Sequence, residues 1–319
     1  MNTNNLLMFQ NFSRTVLLLN LFCFALSAAT SIQAQTSKVL KRTTYPIAAE
    51  DRTLFLAKPL YVILPKYEEA LADEYTKRLS KIWTTSPIQA VSARLYDSLG
   101  QTDKNAFLEI TRDHYYHNGG ANSVSYAVTH YYISACMRYM KTTKGVTAPA
   151  YKVLMGMYMG TDSKTLLQPV TAKDNVASKF YQDAKYPNYS LPMVASYLRI
   201  MKRQMDEGQT LSVFKEFVDK ERLALLKQDT LFISENAIAP EDRDELKGYK
   251  GTYQIVSNRE LIDIYDRRMG KPFFLLDYVQ TGSDKVIGIL DVQNATYAFR
   301  EYHPISYRLK SKDFKHMLP

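Results

Sequence analysis

Ile88-Gln89-Ala90-Val91-Ser92, running into Ala93-Arg94-Leu95-Tyr96, has a counterpart near the other end of the chain. There, Tyr253-Gln254-Ile255-Val256-Ser257 runs into Asn258-Arg259-Glu260-Leu261-Ile262. Each stretch alternates as a half-buried strand and then changes to a short helix. The surroundings match as well. Upstream of the first lies Leu60-Tyr61-Val62-Ile63-Leu64, a buried strand closed by Pro65. A helix follows it, with Tyr67, Leu71, Tyr75, Leu79, Ile82 and Trp83 on one face, acids in its first turn and bases in its last. Downstream, Phe107 to Arg112 leads through Gly119-Gly120 into Val124 to Ile133 as a hairpin, and a further strand lies near Tyr151 to Tyr158.

Around the second stretch, Thr230 to Ser234 reads as a strand, Pro240 to Gly248 as a short acid-started helix, and Asn258 to Arg268 as another helix. Pro272 to Tyr278, Val286 to Leu290 and Tyr297 to Phe299 are three more strands. The order β-α-β-α-β-β-β therefore occurs twice, against the alternative of chance likeness between short αβ segments. The expected fold class is α/β, or α+β, with two similar lobes at residues 53–160 and 229–319. Residues 161–228 join them as a polar loop and bridging helices. One of these starts at Ser190 with Pro192 in its first turn, carries Leu191, Val194, Tyr197, Leu198, Met201 and Met205 as its stripe, and ends before Gly208. A second is expected from Leu211 to Leu226.

This order resembles the strand-helix-strand-helix-two-strand module of the TolB amino-terminal domain and of CsgG-like envelope proteins, over about residues 59–135 and 230–302. The resemblance is one of architecture and contains no diagnostic motif. It implies a non-catalytic envelope module.

The amino terminus points to the same compartment. The apolar run Val16 to Leu26 follows a polar start with one positive charge, Arg14, and small residues Ser27, Ala28, Ala29 and Ser31 lead into Ala34-Gln35. This is the pattern of a secretory signal peptide over residues 1–34 with cleavage near Ala34, the alternative being an uncleaved anchor. Cys23 follows Phe22 inside the apolar run, which argues against lipidation. Residues 35–52 read as a flexible lead-in. The expected location is the periplasm or outer surface of a Gram-negative cell. Cleavage leaves Cys136 alone, so the fold must hold by its core without an intrachain disulfide.

The chain has 319 residues and a formal charge of +9, which falls by one with Arg14. The bases are spread out, so nucleic acid is not an expected partner, whereas peripheral contact with anionic glycans or head groups is compatible with them. No nucleophile elbow and no phosphate-binding loop occurs. Cys136 with His130 as thiol and base is outweighed by a buried β-strand cysteine. His114, His117 and His130, with Asp113 beside them, could hold a metal only through an irregular turn, because an alternating strand puts His114 and His117 on opposite faces. No cofactor is expected. The 24 tyrosines are the compositional oddity, and Tyr116, Tyr126 and Tyr132 on the hairpin are the candidate binding surface, set against simple packing between sheet and helix. The functional expectation is a non-catalytic binding or scaffold protein for an envelope protein or glycan. The competing one is a secreted hydrolase with its site near the 113–130 hairpin.

Overall fold

In the computed structural model of the chain, the described residues are 44–117, 126–143, 145–161, 181–182, 185–212, 215–281, 284–303, 308–315 and 317. The leader, the Gly119-Gly120 turn and most of the Thr161 to Tyr189 loop lie outside them.

Strand β1 (Thr44–Pro46) and helix α1 (Ala49–Ala57) precede the first repeat. That repeat consists of β2 (Leu60–Leu64), α2 (Ala72–Leu79), β3 (Ile88–Ser92), the one-turn α3 (Tyr96–Leu99), β4 (Ala106–His117), β5 (Tyr126–Thr143) and β6 (Val146–Met159). Helix α4 (Leu191–Glu207), β7 (Gln209–Leu211), β8 (Phe217–Val218) and α5 (Lys220–Lys227) lead to the second repeat. It contains β9 (Thr230–Ser234), a 3-10 segment (Pro240–Gly248), β10 (Thr252–Val256), α6 (Asn258–Arg267), β11 (Phe274–Gln280), β12 (Lys285–Asp291) and β13 (Thr296–His303). No helix among the described residues is long and apolar enough to cross a membrane.

The first sheet has the order β3-β2-β4-β5-β6 and the second β10-β9-β11-β12-β13, with the two-residue β8 added at its far edge. In both, the first three strands are parallel and the fourth runs antiparallel to its neighbours. The registers superpose too. Leu60 stands opposite Ile88 and Ala106, and Leu231 opposite Tyr253 and Phe274. Carried on to the fifth strand, this equivalence reaches an irregularity that both sheets share. Leu154 is the extra residue between the partners of Ala135 and Cys136, and Ala298 the extra residue between the partners of Ile289 and Leu290. A bulge inserts one residue and re-aims the strand beyond it. Chance likeness between two αβ segments gives no reason for that defect to fall at the same register.

Helix α4 joins the halves. Its stripe is wider than the sequence suggests, for Met193, Ala195, Ser196, Ile200 and Gln204 are buried as well. The reason is that the helix packs on β6 and α2 of the first repeat and on α6 of the second, so few of its sides meet water. Pro192 stands in its first turn, and Ser190 is at the N-cap although its hydroxyl makes no capping bond. Gly208 closes the helix at φ 71°, a left-handed conformation that glycine adopts without strain.

Three expectations need correction. The lead-in to residue 52 is ordered from Thr44, because β1 pairs with β7 and Arg52 donates to the Met205 carbonyl at 3.0 Å. These are long-range contacts that local composition does not report. The helix expected from Tyr67 is a 3-10 segment, Lys66–Leu71, followed by α2, and it turns Glu68 into the interior. The helix expected from Leu211 starts only at Lys220, where the Asp219 carboxylate accepts the Arg222 amide at 3.0 Å. The residues before it are drawn into β7 and β8.

Candidate functional site

The equivalence of the repeats places one acid on the third strand of each sheet. Glu109, in Phe107-Leu108-Glu109-Ile110, matches Asp277, in Leu275-Leu276-Asp277-Tyr278. Both are buried, at 4% and 2% exposure. A carboxyl inside a sheet has to be hydrogen-bonded or neutral, and the two repeats meet that demand differently.

Asp277 is fully bonded. Its Oδ1 accepts from the Tyr197 hydroxyl of α4 at 2.8 Å and from Asn188 Nδ2 at 3.0 Å, and its Oδ2 accepts from the Tyr297 hydroxyl at 2.6 Å. The Tyr297 ring crosses β12 at Gly288, where a Cβ would stand 3.0 Å from the ring and 3.5 Å from Asp277. Asn188 also donates to the Tyr158 carbonyl and accepts from the Gly160 amide, so this knot ties the end of β6 to the second sheet.

Glu109 sits among Tyr96, Tyr151, Cys136 and Arg138. The Cys136 thiol is 2.9 Å from the Tyr151 hydroxyl, and Arg138 donates to the Tyr96 hydroxyl. The Arg138 guanidinium also lies over the rings of Tyr96 and Tyr151, 5.4 and 4.8 Å from their centres. One carboxyl oxygen, Oε1, has no hydrogen-bond partner. Burial pushes the Glu109 carboxyl up, against hydrogen bonds from Tyr96, Tyr151 and Cys136 and the charge of Arg138. Burial likewise pushes the Cys136 thiol and both phenols up. The cluster is therefore a carboxyl held toward its neutral form beside neutral phenols and a protonated thiol. Such a thiol is a poor nucleophile.

Cover separates the two repeats further. Val153 and Tyr297 hold the same register just past the bulge, yet Val153 is 47% exposed and Tyr297 only 7%. The Tyr297 face is covered by α4 and α6. On the matching face of the first sheet α3 is a single turn, and Leu95, Met140, Tyr151 and Val153 are exposed.

Comparison with family models, with curated proteins and with solved structures finds no match to this chain.

Of the hairpin residues singled out from the sequence, the structure describes the side chains of Tyr132 and His130, and both are buried. Tyr132 is buried, its ring 5.3 Å from that of Tyr158 and packed with Val279 and Val286 of the second sheet. It belongs to the contact between the sheets and to no exposed patch. His130 is buried too, with Nδ1 2.5 Å from the Tyr158 hydroxyl and Nε2 3.8 Å from Asp284, which accepts from Tyr302. His130 and Cys136 are six strand residues apart, roughly 20 Å, too far to act as base and thiol. The side chains of Tyr116, Tyr126, His114 and His117 lie outside the described residues. Their backbone register puts His117 opposite Tyr126, His114 opposite Thr129 and Asp113 opposite His130. Among the described residues, no three His, Cys, Asp or Glu side chains converge as metal ligands.

Proposed function

We propose that this chain is an exported, non-catalytic protein of the cell envelope that docks an amphipathic helix of a protein partner on the bare face of its first repeat. The observation that carries the reading is the unequal cover of two equivalent faces. Where Tyr297 lies beneath helices of the chain itself, Val153 and Tyr151 lie open. Met140 shares the strand face of Tyr151 and Val153, Leu95 is exposed in the turn before α3, and exposed apolar surface of this kind gains by burial. A helix suits this surface because helices fill the matching place in the second repeat. A protein is favoured over a glycan because three of the four exposed side chains are aliphatic or thioether. The buried, protonated Cys136 thiol favours binding over hydrolysis, and the resemblance to TolB amino-terminal and CsgG-like modules favours the same reading.

The test places a photo-crosslinking amino acid at Val153 in the exported protein and identifies the crosslinked peptides in envelope extracts, with and without Leu95→Glu. The expected result is one partner, crosslinked through a helical segment and lost in the variant. An unchanged crosslink pattern in Leu95→Glu, or no crosslink at all, overturns the docking face.

A further inference from the structure

Strand edges expose unpaired backbone groups, and proteins generally shorten, charge or cover them. Four strands end the two larger sheets of this chain, and three are blunted. β3 is covered by α2, whose Thr76 hydroxyl accepts the outward Ala90 amide at 2.9 Å. β6 carries Pro149 and Lys152 and is flanked by α4. β8 has two residues. β10 is the exception. Thr252-Tyr253-Gln254-Ile255-Val256 contains neither proline nor charge, and its first three residues are exposed. The segment that would cover it by analogy with α2 is the 3-10 turn Pro240–Gly248, which packs instead on a carboxy-terminal 3-10 turn, Ser311–Phe314.

The direction of the free groups follows from the ladder. The Glu235 amide donates to the Val256 carbonyl at 2.8 Å, so Val256, Gln254 and Thr252 point toward β9. In a parallel ladder the intervening residues, Tyr253 and Ile255, direct both N–H and C=O to the open edge. Ile255 is also the register equivalent of Ala90, the residue whose amide Thr76 covers in the first repeat.

Beside this edge runs a groove of about 420 Å³ between β10 and α6, lined by Gln254, Val256, Glu260, Ile264 and Arg267 among others. Val256 and Ile264 give it an apolar floor. Its acid is already engaged, since Glu260 accepts from the Ser257 amide and hydroxyl in the capping box of α6. Arg267 is exposed at the groove and Lys250 precedes the strand, and neither has an ion pair among the described residues.

We infer that the open edge of β10 binds an extended acidic peptide segment of a partner protein, which adds a strand to the second sheet and sets an acidic side chain against Arg267. Backbone pairing would supply the affinity, and the groove with its cation the choice of sequence. The surface is separate from the bare face of the first repeat and does not depend on it.

The experiment measures fluorescence anisotropy of two labelled octapeptides with the full mature chain, one alternating valine with glutamate and one alternating valine with lysine. Tyr253→Pro removes an outward amide without taking a bond from β9, and Arg267→Glu reverses the charge while leaving the backbone alone. The expected result is at least tenfold tighter binding of the glutamate peptide, a tenfold or greater loss in Tyr253→Pro with unchanged melting, and a reversed preference in Arg267→Glu. Equal affinity for the two peptides, or an affinity indifferent to both substitutions, overturns the inference. So does a peptide-free dimer that Tyr253→Pro dissolves, because the edge then belongs to a second copy of the chain. Leu95→Glu serves as a control and leaves glutamate-peptide binding intact.

Discussion

Glu109 and Asp277 occupy one position in two copies of the same module, and only Asp277 has both carboxyl oxygens bonded. Removing them should therefore have different consequences. Asp277→Ala strands the buried hydroxyl protons of Tyr197 and Tyr297, while Asn188 keeps the Tyr158 carbonyl and the Tyr197 hydroxyl as acceptors; each unsatisfied group costs about 1–3 kcal/mol, so a loss of about 2 kcal/mol or more is expected. Glu109→Gln keeps the shape and removes an acid that is neutral at low pH, with an expected change within about 1 kcal/mol at pH 5. Urea unfolding of both variants checks the contrast, and equal losses would contradict it.

The pH dependence of stability should carry a signature of the buried acids. Burial raises the carboxyls of Glu109 and Glu68 in the fold, the latter against hydrogen bonds from Asn258 and Tyr75. From the ordinary carboxyl value of 4.5 upward, the native state thus holds protons that the unfolded chain releases. Stability from these groups is complete below that value and is lost as pH rises through the raised one. The neighbours of Glu109 do not reverse the sign, since burial pushes Tyr96, Tyr151, Tyr181 and Cys136 up as well. Glu109→Gln should melt above the wild type at pH 8 and approach it at pH 4.5. Melting curves across that range decide the matter, and an unchanged slope would count against a buried neutral acid.

Gly288→Ala tests whether the crossing of Tyr297 over β12 holds the knot. The added methyl meets the Tyr297 ring at 3.0 Å, so the ring must give by a few tenths of an ångström, against its bond to Asp277. Overpacking of this kind costs about 1–3 kcal/mol. A double variant with Tyr297→Phe should lose less than the sum of the two single changes, as expected of residues in one network.

Export is a further prediction. Amino-terminal sequencing of the protein from the envelope fraction should give a start near Gln35. Recovery of the intact Met1 form from the cytoplasm would show the leader reading to be wrong.

The repeat was legible because its strands are written in local code. Ile88 to Ser92 and Tyr253 to Ser257 alternate, and each is followed by a short helix. The full length of β5 was not, since Arg138, Lys141, Thr142 and Thr143 look like the end of a strand unless β6 is known to pair with them. The candidate site was missed for a related reason. Glu109 and Asp277 are each a single acid in an apolar run, a weaker compositional signal than the tyrosines and histidines of the hairpin. Which face of a sheet is covered depends on where α4 comes to rest, and no window around Val153 contains that information.

Helix α4 also decides what kind of folding unit the chain can be. A simple tandem repeat can lose one copy and keep the other, as beads on a string do. Here each sheet leans on the same helix, through α2 and β6 on one side and α6 and Asp277 on the other. A fragment ending before Leu191 or beginning after Glu207 would keep every strand of one sheet and lack the helix both sheets need. The expected calorimetric trace is one transition for the whole chain and none for either half, so the two modules are one cooperative unit written as two copies.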